Sequence, residues 1–509
     1  MVTTHTARRP LFARARMLGA IAATLGAVAP TLASTDLQSA INAVIGRTAL
    51  GPTRIGVCVV DIDTGEQIAT FNATRPFIPA SNMKLLTSGA ALLALGDDFQ
   101  FRTEIRRQET PAGTRLIVVG SGDPALGDPV LLDQGTPAMD IAGLLDRMAG
   151  AVAKRSVTDV AELVLDDRVF DRELAHPTWP NDQLNRWYCA EVSGLNLHTN
   201  VVTVYARAQY PAAPAVTLEP DVPWAEFENR AESVRKGDPT AWVSRPRPEN
   251  AFTLHGKVRS SSAVRVAIHD PTEFTGRVLA DALTDNGVQT SGAELRRAAD
   301  DERFDGAVPL VAVTTNIADV LRRCNADSHN LYAEAMLKRV GHEVTGEPGS
   351  WLNGGAVLRM FVAERIGSEH ATTIQIADGS GLSRDNRVRP DTMALWAASL
   401  ASDPDVGPAF IASLPRAGEG TLRARFNDGV MISEIRAKSG YVRGVYSLSG
   451  VLIDPRTGDP EVAFSILLND VPEGSTARKA KPFHEDIVEL IDAWLADRAV
   501  LAEEPTYGG

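Results

Sequence analysis

The chain has 509 residues, of which 44% are hydrophobic and 23% are charged, and its formal net charge is −13. That length corresponds to about two to four domains, and the composition is that of an ordinary globular protein, which excludes disordered, collagen-like and repeat proteins. The excess of acidic over basic residues argues against nucleic acid and against an anionic membrane surface as partners.

The first 33 residues have the pattern of a secretory signal peptide. Four arginines between positions 8 and 16 precede an uncharged apolar stretch from Met17 to Ala33, and small residues at 31 and 33 suit cleavage after Ala33. An uncleaved membrane anchor is the alternative, but the stretch is shorter than the roughly 20 residues of a typical span. We therefore expect an exported protein, periplasmic or extracellular, whose mature chain has no membrane span.

The first elements of the mature chain are a helix, a hairpin and a second helix. Thr35 or Asp36 is expected to cap a helix that runs to about Ile45. A strand at 54–62, a turn at 63–65 and a returning strand at 67–71 predict the hairpin. Residues 81–95 are apolar nearly all round, which predicts a buried helix that ends at Gly96.

From about residue 98 to 308 the pattern changes to short strands (115–119, 162–166 and 201–205) between loops, with a helix at 270–285 and a strand near Leu295. Residues 212–249 are richer in proline and charge. We expect 98–211 and 250–307 to form an inserted domain, with 212–249 as a small module nested in it.

The last third of the chain returns to helices and ends in strands. Helical patterns cover 317–340 with a break near 325–329, and then 354–366 and 391–400; strands follow at 432–438, 445–453 and 462–468, before a final helix at 481–495. Terminal strands flanked by terminal helices indicate that both chain ends build one antiparallel sheet. Residues 34–97 and 308–500 would then form one discontinuous domain.

A serine and a lysine at helical spacing form the first of three motifs that can act on a substrate. In Ser81-Asn82-Met83-Lys84, positions i and i+3 share one helix face, so the Ser81 hydroxyl and the Lys84 amine can meet. A serine needs a base to act as a nucleophile, and burial lowers a lysine's pKa enough to make it that base. Lys84 is the lone charge of an apolar helix, which favours such a role.

The other two motifs supply further polar groups. SHN at 328–330 lies in the predicted break between helices, where a hydroxyl and an amide two residues apart can face one cleft. KSG at 438–440 lies at a strand end, where alternation puts Lys438 and Gly440 on one face and Ser439 on the other. A cation and a hydroxyl suit a substrate carboxylate, and a glycine permits close approach. Each motif alone is common, as a local turn or an edge-strand lysine.

In this order, the three motifs resemble the S-x-x-K, S-D-N and K-T-G set of β-lactamases and penicillin-binding proteins. Ser81 and Ser328 are 247 positions apart, too far for a compact β-lactamase. The chain therefore looks like a member of the D-alanyl-D-alanine carboxypeptidase/endopeptidase family, the low-molecular-mass class C penicillin-binding proteins. Segments that resemble that family are GSGDP at 120–124, SGLNLHTN at 193–200 and DGSGLS at 378–383.

The resemblance implies a fold and an activity. The fold would be α/β (α+β), with a β-lactamase/transpeptidase-like domain, an antiparallel sheet flanked by helices, and a large inserted region of one or two smaller domains. The activity would be that of a serine D,D-peptidase, a carboxypeptidase and/or endopeptidase, on peptidoglycan stem peptides. β-Lactams would inhibit it, and neither a cofactor nor a metal would be needed. The stem-peptide diamine and the oligomeric state stay open.

The resemblance also implies roles for the motif residues that match. Ser81 would be the nucleophile that forms the acyl-enzyme, and Lys84 its general base. Ser328 would relay a proton to the leaving nitrogen, and Asn330 would hold the substrate amide and Lys84.

The third motif would bind the far end of the substrate. Lys438 and Ser439 would hold the terminal carboxylate, with Gly440 beside them, and the backbone N–H groups of Ser81 and Tyr441 would form an oxyanion hole.

The sequence departs from the family pattern in each of the later motifs. His329 stands where aspartate is common, Ser439 replaces a threonine, and Tyr441 and Arg443 stand where small hydroxyl residues are usual. Tyr441 and Arg443 would narrow or recharge the rim of the cleft, so substrate preference is less defined than mechanism.

Two other functions compete with the peptidase. One is a β-lactamase or esterase on the same scaffold; class A β-lactamases place a glutamate just before a Leu-Asn pair, but here Glu191 lies too far upstream of the pair at 195–196. The other is a non-catalytic wall-binding protein, against which the three intact motifs argue.

Several weaker signals predict structure rather than chemistry. A second SxxK, from Ser233 to Lys236, lies in a charged stretch and is expected to be a solvated loop. Residues 120–125 mimic a dinucleotide-binding GxGxxA but lack a clear helix afterwards. Acidic residues at 166, 167 and 171 lack calcium-loop spacing. The three cysteines are expected to be small buried side chains, and a pairing between two of them stays open.

Overall fold

The computed structural model describes residues 32–427 and 429–503. The predicted signal peptide at 1–33 therefore lies outside the described residues except for its last two positions. The helix expected from Thr35 or Asp36 begins instead at Leu32 and ends at Arg47. None of the described helices is long and apolar enough to cross a membrane.

The described chain forms runs of helices and runs of strands, numbered here in chain order. The helices are α1 (Leu32–Arg47), α2 (Met83–Leu95), α3 (Pro129–Gln134), α4 (Ile141–Ala153), α5 (Pro271–Asp285), α6 (Ile317–Asn325), α7 (Asn330–Thr345), α8 (Trp351–Ile366), α9 (Ser368–Thr373), α10 (Pro390–Ala401), α11 (Gly407–Ser413) and α12 (Ala480–Glu503). The strands are β1 (Arg54–Asp61), β2 (Gln67–Phe71), β3 (Gln100–Thr110), β4 (Gly113–Val119), β5 (Glu162–Asp166), β6 (Val201–Gln209), β7 (Ala212–Glu219), β8 (Phe227–Asn229), β9 (Glu232–Ser233), β10 (Trp242–Ser244), β11 (Phe252–His255), β12 (Lys257–Val258), β13 (Ser261–Ala267), β14 (Glu294–Arg297), β15 (Val308–Asn316), β16 (Glu434–Val442), β17 (Val445–Ile453) and β18 (Pro460–Asn469).

The two ends of the chain form one antiparallel sheet, with the strand order β16-β17-β18-β1-β2. β1 lies beside β18 along its whole length, with Cys58 opposite Ser465. The chain leaves this sheet after β2 and returns to it only at β16. The prediction that both chain ends build one antiparallel sheet is confirmed.

Both faces of this sheet are covered by helices. On one face α1 and α12 pack against Val57 and Val59 of β1. On the other face α10 packs against Cys58 and Val60. Because β1 is covered on both sides, it is a continuous apolar run rather than an alternating one. Beyond α10, the apolar helix α2 is enclosed by α6, α7, α8 and α11, which confirms that it is buried.

The inserted region has a mixed sheet of its own, in the order β14-β5-β4-β3-β15. β14, β5 and β4 run parallel, and β3 and β15 add antiparallel strands. Helices α4 and α5 supply Leu145 and Phe274 to a core that also contains Leu163 and Leu165 of β5. This core is separate from the one around α2.

Smaller sheets, β13-β6-β7, β10-β11-β8 and β12-β9, lie in the middle of the insert. Strands within 212–249 pair with strands outside that range, since β7 pairs with β6, and β8 and β10 pair with β11. β15, at the start of the predicted 308–500 segment, pairs with β3 of the inserted sheet. The domain limits stay a prediction; from this pairing we propose a nested unit of about 201–267 and a return to the first domain after Asn316.

Candidate active site

The predicted nucleophile lies in a tight turn before α2, not inside the helix as expected. Ala80–Asn82 form a 3₁₀ turn, and Ala80 has a φ of +47°, a conformation that is unfavourable for residues other than glycine. The turn is held from β17, because Ser447 Oγ donates a hydrogen bond to the carbonyl of Pro79 at 2.7 Å. Residues far apart in sequence thus fix the backbone around Ser81.

Lys84 is completely buried, and its amine has three oxygen partners. Its Nζ lies 3.2 Å from Ser81 Oγ, 2.7 Å from Asn330 Oδ1 and 2.9 Å from the carbonyl oxygen of Ser380. Burial lowers the pKa of Lys84. A neutral amine has two N–H groups and one lone pair. Asn330 Oδ1 and the Ser380 carbonyl only accept hydrogen bonds. In the neutral form of Lys84 they would take both N–H groups, and the lone pair would face the Ser81 hydroxyl.

The SHN residues stand between this lysine and a second one. Ser328 has a φ of +60°, and its Oγ accepts a hydrogen bond from Lys438 Nζ at 3.0 Å. Asn330 begins α7, and its Nδ2 donates to the carbonyl of Tyr188 at 2.8 Å. That bond orients the amide oxygen of Asn330 toward Lys84. The turn at 328–330 therefore touches both buried lysines.

Lys438 differs from a surface carboxylate-binding lysine. It is fully buried, and its Nζ also donates to the carbonyl of Ser439 at 2.7 Å. Burial, together with the charge of Lys84, holds the pKa of Lys438 well below its usual range. Ser439, Gly440 and Tyr441 line the cavity beside Ser81, whereas Lys438 does not line it but binds Ser328, which does. The predicted split between Lys438 with Gly440 and Ser439 does not describe the lining, because consecutive residues 439–441 all border the cavity.

Gly440 brings β16 against the nucleophile turn. A Cβ at this position would lie 2.2 Å from Ser447 Oγ and 2.8 Å from the backbone nitrogen of Ser81. Real Cβ atoms do not approach other atoms this closely, so the contact between strand and turn requires glycine. The backbone of β16 next to Tyr441 thereby lies close to the Ser81 N–H.

The DGSGLS loop at 378–383 supplies an active-site contact that the sequence-derived site residues did not include. The Ser380 carbonyl binds Lys84, and the neighbouring Gly381, with a φ of +82°, lies against the Ala80 carbonyl. The loop is closed by the buried Asp378, which accepts from Gly381 N–H at 2.8 Å and from Trp179 Nε1 at 2.9 Å. The resemblance of this loop to the family was the available signal, but a backbone carbonyl has no sequence signature.

Residues of the three motifs line two adjoining cavities. A cavity of about 810 Å³ is bordered by Ser81, Ser328 and Asn330, and by Pro180, Gln183, Trp187, Tyr188, Asp327, Gly381, Leu382, Arg384, Tyr441, Val442 and Arg443. A second cavity of about 500 Å³, lined by Ser439 and Gly440 among others, shares Ser81, Ser328 and Tyr441 with the first. Tyr441 stands at the rim, with 61% of its surface exposed.

His329 does not face the cavity. It is buried between the rings of Trp187 and Tyr332, with ring centroids 5.4 Å and 5.0 Å away. Burial, reinforced by the charge of Arg323, lowers the pKa of His329 to about 3. The ring is therefore neutral and supports Trp187, a wall of the cavity, from behind.

The weaker sequence signals lie away from this cavity. Ser233 is in β9, where its Oγ accepts from the backbone N–H of Gln209 at 2.9 Å, so it is ordered in a strand rather than in a solvated loop. Asp166 and Asp171 form ion pairs with Arg168 and Lys338. Within residues 32–427 and 429–503 there is no cluster of histidine, cysteine or acidic residues that could hold a metal ion.

The cysteine pairing that the sequence left open does not occur. The three cysteines are buried free thiols, as expected for small apolar side chains: Cys58, Cys189 and Cys324.

Comparison of the sequence with known proteins identifies relatives along most of the chain. The sequence pattern of the D-Ala-D-Ala carboxypeptidase 3 (S13) family matches residues 37–490. The chain is 32% identical over 459 residues to a D-alanyl-D-alanine carboxypeptidase of Actinomadura sp. (strain R39), which covers 86% of this chain and 81% of that protein. It is 23% identical over 446 residues to the D-alanyl-D-alanine carboxypeptidase DacB of Haemophilus influenzae, covering 84% and 88% respectively.

Comparison of structures agrees. Penicillin binding protein 4 (dacB) from Haemophilus influenzae superposes with a TM-score of 0.70 at 22% identity, over 92% of this chain and 99% of that one. A structure of the same protein complexed with a β-lactam superposes with a TM-score of 0.67. At this level of identity the likeness shows the fold, and the predicted fold class is confirmed.

Proposed function

This chain belongs to the D-Ala-D-Ala carboxypeptidase 3 (S13) family, which makes it a serine hydrolase, and we propose that it cleaves the D-Ala–D-Ala bond of peptidoglycan stem peptides through an acyl-enzyme on Ser81. The observation that carries this proposal is the environment of Lys84. A buried amine whose two N–H groups have acceptor-only partners has its lone pair free for one task, the removal of the Ser81 proton.

The first half of the reaction forms the acyl-enzyme. Ser81 Oγ attacks the carbonyl carbon as its proton passes to Lys84. The charge that develops on the carbonyl oxygen would be held by the backbone N–H groups of Ser81 and Tyr441. As the C–N bond breaks, Ser328 gives its hydroxyl proton to the leaving nitrogen and takes one from Lys438. Lys438 then regains a proton at the expense of Lys84, which becomes neutral again. The proton that left Ser81 thus ends on the released amine.

The second half releases the product. Water attacks the ester carbonyl, giving a proton to Lys84, and the C–O bond to Ser81 breaks as the serine regains a proton. Ser439, which lines the cavity, and the Lys438 amine, which binds Ser328 at the cavity, would hold the terminal carboxylate. Cross-linked peptides can enter the open cavity in the same register, so we include endopeptidase activity in the proposal.

A β-lactam would acylate the same serine, as the complex of the Haemophilus influenzae protein with a β-lactam suggests for this fold. The rival function, rapid β-lactam turnover, needs a carboxylate base near the ester. Glu191 does not serve: it is buried in the insert, where its carboxylate binds His269 Nδ1 and Arg247 Nη2, each at 3.0 Å. Slow release of the bound drug is therefore expected.

We also infer that the protein is exported, on the strength of the signal-peptide pattern at 1–33. N-terminal sequencing of the protein from the extracytoplasmic fraction would give a chain that begins at Ser34. A cytoplasmic protein that still carries Met1 would contradict this inference.

The acyl-enzyme is tested by intact-protein mass spectrometry after a brief incubation with benzylpenicillin. The wild type should gain one drug mass that persists for many minutes. Ser81→Ala should gain none, and Ser233→Ala, which removes the serine of the other SxxK, should behave as the wild type. Release of D-alanine from a stem pentapeptide, and cleavage of a cross-linked dimer, should follow the same pattern. An adduct on Ser81→Ala, or drug consumption without a lasting adduct, would contradict the proposal.

A further inference from the structure

A buried carboxylate that the mechanism above does not use lies one helical turn beyond Asn330. Glu334 is on α7, at the i+4 position, so both side chains point from the same face of the helix toward α2 and the 378–383 loop. Its side chain has no exposed surface. A buried carboxylate is unfavourable unless it is fully hydrogen-bonded, so its partners indicate what it does.

Glu334 binds the loop that carries the Ser380 carbonyl. Its Oε2 accepts from the backbone N–H of Gly379 at 2.8 Å, and its Oε1 accepts from that of Ser380 at 2.9 Å. Trp351 Nε1 donates to Oε2 at 2.8 Å. Two consecutive backbone N–H groups therefore share one carboxylate, which fixes the orientation of the peptide plane between them.

A second element holds the same loop from the other side. Thr87 Oγ1, on α2 one turn after Lys84, donates to the carbonyl of Gly379 at 2.7 Å. The peptide groups next to Ser380 are thus bound by α7 at the nitrogens and by α2 at an oxygen. The Ser380 carbonyl that remains is the one that accepts from Lys84.

We propose that Glu334 is a positioning residue for acyl transfer: it fixes the 379–380 backbone so that the Ser380 carbonyl occupies one N–H group of Lys84 and leaves the lone pair to Ser81. This inference rests on the proposed function, in which Lys84 is the base. Without Glu334 the loop can shift, and Lys84 loses an acceptor that sets its direction.

The charge of Glu334 also acts on Lys84. The groups that face Glu334 are Asp378 of the loop, Lys84 of α2, Lys338 of α7 and the Cys324 thiol of α6. Burial, with the charge of Asp378, raises the pKa of Glu334 to about 7. An ionised Glu334 favours the ammonium form of Lys84, so removing its charge lowers the pKa of Lys84 further.

The test compares acylation by benzylpenicillin, measured as a rate across a pH series, in the wild type and three variants. Glu334→Gln puts an amide NH₂ against the Ser380 N–H. We expect this variant to be acylated about 10²-fold more slowly than the wild type, as for a displacement of about 1 Å. The acid limb of its pH–rate profile, which reflects the pKa of Lys84, should move to lower pH by roughly half to one unit. Thr87→Val removes the hydrogen bond from α2 to the Gly379 carbonyl without a change of charge. It should therefore slow acylation and leave the acid limb of the pH–rate profile in place. Glu343→Gln, a matched change at the far end of α7 where Glu343 pairs with Arg339, should match the wild type.

Each other outcome overturns the role of Glu334. Glu334→Gln with a lower melting temperature but a wild-type rate and pH profile would make it a purely structural residue. If that variant does not fold, an unchanged rate in Thr87→Val would refute the positioning of the loop. Glu343→Gln as slow as Glu334→Gln would mean that any change in α7 suffices. A wild type that never acylates would instead overturn the proposed function, and the positioning role with it.

Discussion

Replacing Gly440 by alanine is a direct test of how the third motif serves the first. The added methyl carbon would lie 2.2 Å from Ser447 Oγ, 2.8 Å from the Ser81 nitrogen and 3.1 Å from the Asn82 nitrogen. Nonbonded heavy atoms ordinarily lie about 3.5 Å apart. The new carbon would therefore overlap Ser447 Oγ by more than roughly 1 Å and the Ser81 nitrogen by more than roughly 0.5 Å. The strand and the nucleophile turn must therefore move apart.

Rotation of Ser447 gives no easy escape. Its hydroxyl donates to the Pro79 carbonyl at 2.7 Å, which is a bond that holds the strained turn at Ala80. If the hydroxyl turns away, the turn loses its anchor; if it stays, β16 is pushed back. Either way the Ser81 N–H moves by a large part of 1 Å relative to β16. Such a displacement lowers rates by about 10²-fold, and loss of an oxyanion donor by about 10²–10³-fold.

The assay is the rate of benzylpenicillin acylation, followed by intact mass, with the melting temperature measured alongside. Gly440→Ala should acylate at least about 10²-fold more slowly than the wild type. Gly46→Ala, where a new Cβ meets nothing within 4 Å, is the matched control. Adding Ser447→Ala removes the first overlap but not the one with Ser81, so the double variant should stay slow. Acylation by Gly440→Ala within threefold of the wild type would refute the reasoning.

Two further predictions follow from the buried cations and the buried imidazole. Lys84→Arg introduces a guanidinium that cannot become neutral, so penicillin acylation should fall by at least about 10²-fold. The melting temperature should also fall, because the larger charged group enters a fully buried site. A folded variant that keeps a tenth of the wild-type rate would rule out Lys84 as the base. The pKa of His329 is about 3 in the folded chain and 6.5 in the unfolded chain. Below pH 6.5 the unfolded chain therefore binds a proton that the folded chain does not. The stability of the fold consequently falls as the pH falls. Urea titrations measure the free energy of unfolding at each pH. Between pH 7 and pH 5 it should drop by about 2 kcal/mol more for the wild type than for His329→Asn. An equal drop in the two proteins would show that His329 is not buried in neutral form.

Much of the architecture could be predicted because it depends on apolar patterning. The strands at 162–166 and 445–453 have the predicted limits, and the predicted break at 325–329 separates α6 from α7. The strand β15 was not predicted, and it pairs with β3, which lies about 200 residues earlier in the chain. Local periodicity indicates that a segment is a strand, but not which edge it joins.

The sequence predicted which side chains would form the site, but not the backbone groups that complete it. The i, i+3 spacing brings Ser81 to Lys84, yet the turn around Ser81 is set by Ser447 on β17, and the third partner of Lys84 is a carbonyl of Ser380. Glu334 could not be predicted as a site residue for a related reason. A glutamate in a helix is ordinarily exposed, and only the fold shows that this one binds backbone N–H groups. Contacts made through the backbone leave little trace in sequence.

The two buried lysines suggest why the proposed proton transfer runs toward the leaving group. Burial alone lowers the pKa of Lys84 and of Lys438, and a charge on the first lowers that of the second. When Lys84 takes the proton of Ser81, it therefore disfavours a second positive charge on Lys438. Lys438 Nζ donates to Ser328 Oγ, which is the hydroxyl that faces the leaving nitrogen in the mechanism. Repulsion between the two ammonium groups thus favours transfer of a proton from Lys438 to Ser328 as the C–N bond breaks and the leaving nitrogen is protonated. Lys84 acts first as a base and Lys438 then as an acid, although both residues are buried.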